Sequence, residues 1–131
     1  MQITTTFKTK ERYIFLPVFI TTFDGKCREF DAILDTGAPQ TEFSDKALCF
    51  AGFTLRQKED VNIQGSLPTQ KYSKIILPNV EICSRQISNL EVYVSRFAKD
   101  WGVDALVGLD FFKLFKVTID YKKGVIVTEP Y

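Results

Sequence analysis

Apolar residues recur along this chain mostly with period two, which restricts most of it to β-strands. In residues 115–121, Phe115, Val117, Ile119 and Tyr121 fall on one side, and Lys116, Thr118 and Asp120 on the other. The segment "SNLEVYVS" sets Leu90, Val92 and Val94 against Glu91, Tyr93 and Ser95 in the same way. Successive side chains of a strand point to opposite faces, so this alternation is that of half-buried strands. Residues 12–23, "RYIFLPVFITTF", are apolar in both registers and predict a strand covered on both sides, with Pro17 at a bulge or an edge. Asp24-Gly25-Lys26 predicts a tight hairpin turn, since glycine supplies the positive φ, and residues 27–34 return as the second strand. Residues 58–78 predict another hairpin, "KEDVNIQ" and "TQKYSKIIL" around a tip "GSLP", and Pro78-Asn79 a further turn. Lys122-Lys123-Gly124 turns the chain before a last strand, "VIVTE". Helix signals are few: "TEFSDKALCFAG", with Ser44 as N-cap and Gly52 as stop, and "FFKLF", capped by Asp110. A mainly β, barrel-like fold with one or two short helices follows, as a single domain over residues 1–131.

Composition narrows the function. The apolar and charged fractions, 45% and 25%, are those of an ordinary globular protein, and 12 Phe predict extensive sheet packing or an apolar interface. A net charge of +1 gives no electrostatic reason to bind nucleic acid or an anionic membrane. The chain has no histidine, which removes Ser-His-Asp and Cys-His nucleophilic schemes and the usual Cys/His zinc sites. General acid–base chemistry is left to carboxylates, Lys, Tyr or Cys. Cys27, Cys49 and Cys83 are odd in number and widely spaced, as expected of thiols in a reducing compartment. The first residues show no charged segment followed by an apolar one, and the most apolar run, "YIFLPVFI", is too short to span a bilayer. The expected location is the cytoplasm.

The chemistry centres on the apolar run Ala32-Ile33-Leu34, which ends abruptly in Asp35-Thr36-Gly37. By itself the tripeptide fits an ordinary surface turn, because Asp and Gly both favour turns. Its context points elsewhere. Asp35 follows a strand with the composition of core, and a second apolar run, Ala105-Leu106-Val107, ends in Gly108. The two motifs in this order, Ile33-Leu34-Asp35-Thr36-Gly37-Ala38 with Thr41 beyond, then Leu106-Val107-Gly108 ahead of Asp110 and Phe111, resemble the retropepsins. These are single-domain aspartic proteases of retroviruses with cellular and bacterial relatives. The resemblance covers roughly residues 12–128.

It implies a closed retropepsin-like barrel and an aspartic endopeptidase that needs no metal or other cofactor. Such proteolysis uses two carboxylates around one water, sharing one proton. One chain supplies one Asp-Thr-Gly, so the second copy would come from a second molecule, with Asp35 meeting its twin on a two-fold axis. The resemblance assigns the catalytic loop to Asp35, Thr36 and Gly37: Gly37 brings its N–H to the carboxylate, and Thr36 bonds across the dimer. It assigns the site floor to Ala38 and Gly108, and a substrate-covering flap to Gln64, Gly65 and Ser66. The partners implied are a second copy of the chain and a peptide or protein substrate. The alternative is a non-catalytic module of the same fold that dimerises or binds peptide. The ends, "QITTTF" and "GVIVTEPY", are expected as strands across the dimer, Trp101 as a packing residue and Asp31 as a surface position.

Overall fold

The computed structural model describes residues 1–22, 24–55, 63 and 68–131. In chain order, β1 spans Ile3–Thr6, β2 Phe15–Thr21, β3 Cys27–Leu34 and β4 Glu42–Ser44, followed by helix α1, Asp45–Phe50. Strands β5 (Thr69–Ile82), β6 (Arg85–Phe97) and β7 (Ala105–Val107) lead to α2, Leu109–Phe112, and then to β8 (Lys116–Asp120) and β9 (Val125–Glu129). Six strands close a barrel in the order β2-β3-β7-β4-β6-β5, with β5 returning to pair with β2. The other three form a separate antiparallel sheet, β1-β9-β8. No helix among the described residues is long and apolar enough to cross a membrane.

Strand β2 buries Leu16, Val18 and Ile20 and leaves Phe15, Pro17 and Phe19 half-buried, so the double coverage expected of it is partial. Pro17 lies just before the segment of β2 that pairs with β5, an edge position where its missing N–H is tolerated. The turn to β3 is the expected one. Gly25 has φ +80, and Thr22 N–H reaches Lys26 O at 2.7 Å. Core side chains from both halves of the chain meet inside the barrel, among them Leu16, Ile20, Phe43, Leu77 and Phe111. Each contributes about 1.5–3 kcal/mol through burial.

Three features depart from the sequence expectations. First, Pro78-Asn79 is not a turn, because β5 runs through it to Ile82. The register passes from Leu77↔Leu90 to Asn79↔Ser88, which sets Pro78 opposite Asn89, itself at φ 55. The irregularity of β6 there accommodates a residue without an N–H. The chain reverses instead at Cys83-Ser84, both left-handed at φ 51 and 59, in a two-residue loop between Ile82 and Arg85. Second, the later arm of the hairpin expected over 58–78 is part of β5, which pairs with β6 and with β2; residues 58–62 and 64–67, most of the earlier arm and of the tip, lie outside the described residues. Third, β4 carries no strand signal in its sequence. It is wedged between β6 and β7, and its last residue, Ser44, caps α1 by accepting the Ala47 N–H at 3.4 Å.

The chain ends pair with each other inside one molecule, β1 lying on β9. Arg85 fastens them, donating from Nη2 to Met1 O at 2.7 Å and to Thr128 O at 3.0 Å. Tyr121, expected on the covered side of β8, is 69% exposed.

Candidate active site

Strand β3 pairs in parallel with β7, Ile33 beside Leu106 and Leu34 beside Val107. Asp35 extends this ladder by one bond, its N–H donating to Val107 O at 2.9 Å. There the chain turns. Gly37 N–H donates to Asp35 Oδ1 at 3.1 Å, and Ala38 N–H to Asp35 O at 3.1 Å. The carboxylate is thus half-buried at the end of a core strand, with one oxygen held by its own loop, while Thr36 and Gly37 are exposed. A fixed N–H on one oxygen orients the group without side-chain entropy to lose.

The loop is backed by the segment that follows β7. A Cβ on Gly108 would fall 2.7 Å from Ala38 O and 2.9 Å from Gln40 C, both backbone atoms, so only glycine lets the two segments meet. Leu109 N–H donates to Ala38 O at 2.8 Å. Thr41 completes the seam. Its Oγ1 accepts the Gly108 N–H at 3.1 Å and donates to Asp110 Oδ1 at 2.7 Å. Asp110 is therefore not the N-cap of α2, although its Oδ1 also accepts the Phe111 N–H of the first turn at 2.9 Å. Gly108 holds the cap position with no side-chain bond, and the Asp110 carboxylate turns to Thr41, whose N–H also reaches Oδ2 at 2.9 Å. With both oxygens engaged, Asp110 is a structural carboxylate.

Asp31 is exposed as expected, and its N–H donates to Asp104 Oδ2 at 2.9 Å. Burial pushes the Asp104 carboxyl up, the Asp31 N–H pulls it back, and the nearby Asp31 charge adds to the rise. A cleft of about 570 Å³ opens beside this pair, between Phe7, Phe15 and Glu29, and Asp35 does not line it. Trp101 packs edge-on to Tyr13 and tilted against Phe97. No group of three or more His, Cys, Asp or Glu able to hold a metal occurs among the described residues.

The seam from Asp35 to Gly108 falls inside the stretch that an aspartyl protease family model matches, residues 20–111. The chain belongs to this family. Its fold is retropepsin-like. A retropepsin-like aspartic protease from Rickettsia conorii superposes with a TM-score of 0.67 at 18% identity, over 98% of this chain and 89% of that one. The retroviral protease-like domain of Ddi1 from Leishmania major does so with a TM-score of 0.56 at 20% identity, over 86% and 85%. No curated protein matches the sequence.

Within this aspartyl protease fold, Asp35, Thr36, Gly37, Ala38 and Gly108 come together at one place, the end of β3 and β7. Gln64, Gly65 and Ser66 lie outside the described residues. Sequence reasoning passed over one cluster. Asp45, 1% exposed at the start of α1, accepts from Tyr72 Oη at 2.9 Å and from Arg96 Nε at 2.8 Å. It ties α1 to the lower part of β5 and the end of β6. An Asp after a helix cap reads as dipole compensation, so only the arginine and tyrosine on distant strands reveal it as a hub.

Proposed function

We propose that the protein is a homodimeric aspartic endopeptidase that hydrolyses extended peptide substrates, water being activated by two Asp35 carboxylates, one per subunit. The observation that carries this is the presentation of Asp35, delivered by a core strand, oriented by Gly37 N–H and backed through Gly108. The chain has one Asp-Thr-Gly, and the chemistry needs two carboxylates around a water. Held about 3 Å apart, they share one proton. The ionised one takes a proton from the water as its oxygen attacks the scissile carbonyl carbon. The protonated one donates to the carbonyl oxygen. Collapse of the resulting diol breaks the C–N bond, and the leaving nitrogen takes a proton from the pair. The sheet of chain ends supports a dimer: among the described residues β1 and β8 each pair only with β9, and exposed Leu114 and Tyr121 flank β8. The three cysteines suit a reducing compartment, and the proposal places the enzyme in the cytoplasm.

The test is peptide cleavage between about pH 4 and 7 by the wild type and by Asp35→Asn, with the oligomeric state of both measured. A dimeric wild type that cleaves and a dimeric variant that does not are expected. Equal cleavage by a folded, dimeric Asp35→Asn would overturn the mechanism. A dimer that binds peptides and cleaves none would select the non-catalytic module.

A further inference from the structure

Glu42 is 2% exposed, yet its carboxylate is poorly served. Oε2 lies 3.9 Å from Lys71 Nζ, the outer limit of an ion pair, and Oε1 has no hydrogen-bond partner among the described residues. A buried carboxylate oxygen without a partner is expensive, and a position needed only for packing is filled at lower cost by an apolar side chain.

The strand register shows where this oxygen lies. Ile33 stands opposite Leu106, Leu106 opposite Glu42, and Glu42 opposite Tyr93, one row across β3, β7, β4 and β6. Directly paired residues share a face. The neighbouring row, Ala32, Ala105, Phe43 and Val94, packs into the barrel core. The Glu42 row therefore faces the other way, out of the barrel. Asp35, two residues beyond Ile33 on the same ladder, projects to that same side. Two strand spacings across and two residues along put Glu42 on the order of 12 Å from Asp35, Cα to Cα. That is within reach of a long side chain from a peptide lying over Asp35.

We infer that Glu42 is a specificity-determining residue of the proposed peptidase, receiving a lysine or arginine side chain within three residues of the scissile bond. The inference rests on the peptidase activity proposed above. The incoming cation donates to Oε1 and displaces the Lys71 ammonium, which is half exposed and only loosely held. The Tyr93 ring, already flanked by Lys71 Nζ at 5.3 Å and Lys74 Nζ at 4.9 Å, offers the cation an aromatic wall. Two-fold symmetry repeats the subsite once on each side of the bond, and an acidic side chain there is rejected.

The experiment uses octapeptides identical but for one residue, lysine or norleucine, placed in turn at each of the three positions on either side of the bond. Cleavage is measured with the wild type and binding with the uncleaving Asp35→Asn dimer. Lysine should exceed norleucine about 10- to 100-fold at one position on each side, the value of a charge-assisted hydrogen bond. Glu42→Gln should bring that ratio near one, and Lys71→Met, which removes the competing ammonium, should raise it. If Glu42→Gln does not fold, the Lys71→Met ratio decides. A ratio of one at every position, no binding of any lysine peptide, or a preference unchanged by both variants would overturn the assignment. Cleavage without preference refutes the subsite alone. Lysine-selective binding that depends on Glu42, with no cleavage by the wild type, upholds the subsite and refutes the peptidase.

Discussion

Thr41 and Asp110, far apart in sequence, are joined twice: Thr41 Oγ1 donates to Oδ1 at 2.7 Å and Thr41 N–H to Oδ2 at 2.9 Å. Because Oγ1 also accepts the Gly108 N–H, the hydroxyl relays between the two segments that enclose the Asp35 loop. Thr41→Val keeps the shape and removes the relay. It leaves the buried Gly108 N–H without its partner and Asp110 Oδ1 with the Phe111 N–H alone, at a cost of about 1–3 kcal/mol in urea unfolding. Thr41→Ser keeps the hydroxyl and should recover most of the loss.

Gly108→Ala tests the seam itself. The added methyl would meet the backbone at Ala38 and Gln40, which cannot swing away as a side chain can. Overpacking of this kind costs about 1–3 kcal/mol. In an active enzyme the displaced Asp35 loop should also lower kcat/KM by about 100-fold. A variant with wild-type stability and activity would show that the two segments do not depend on close approach.

The Asp45 hub predicts an alkaline limit. Burial, and next the hydrogen bond to Asp45, push the Tyr72 phenol up to about 12. The folded state holds this proton more tightly than the unfolded one. Its contribution is therefore complete below the ordinary tyrosine range near 10 and is lost as pH rises towards 12. Urea midpoints followed from pH 9 to 12 should fall more steeply for the wild type than for Tyr72→Phe, which lacks the titration and starts lower.

Asp104 predicts a fall of the same sign in the acid range. Its carboxyl is pushed up in the folded state, chiefly by burial, so ionisation opposes folding as pH rises through its folded value. Asp104→Asn keeps an oxygen for the Asp31 N–H and carries no charge. It should unfold at higher urea than the wild type at pH 7, and the two should converge below the ordinary aspartate value of 3.8.

Much of this was legible in the sequence, for reasons that lie in particular residues. Alternation gave β6 its buried Leu90, Val92 and Val94, and Gly25 and Gly124 marked turns that need positive φ. The place of Asp35 could be read because a core strand rarely ends in a carboxylate without purpose. The turn at Cys83-Ser84 could not, since two left-handed residues there are neither Gly nor Asn. Strand β4 could not either. Glu42 and Ser44 are polar and buried, and the strands that flank them, β6 and β7, come from elsewhere in the chain. For Asp110 the sequence shows only the local part, a bond to the Phe111 N–H; its two bonds to Thr41 join residues distant in sequence.

The parallel pairing of β3 with β7 also governs when the Asp35 loop takes shape. Local hairpins such as β2–β3 and β5–β6 can close early, but Ile33 cannot find Leu106 until most of the chain is available. Contacts of such long sequence separation form slowly, because a large loop must be closed before they return any stability. The carboxylate, its glycine backing and the Thr41 relay are therefore assembled among the last events of folding. A nascent chain that has emerged only as far as β6 has five of the six barrel strands, lacks β7 and has no organised loop.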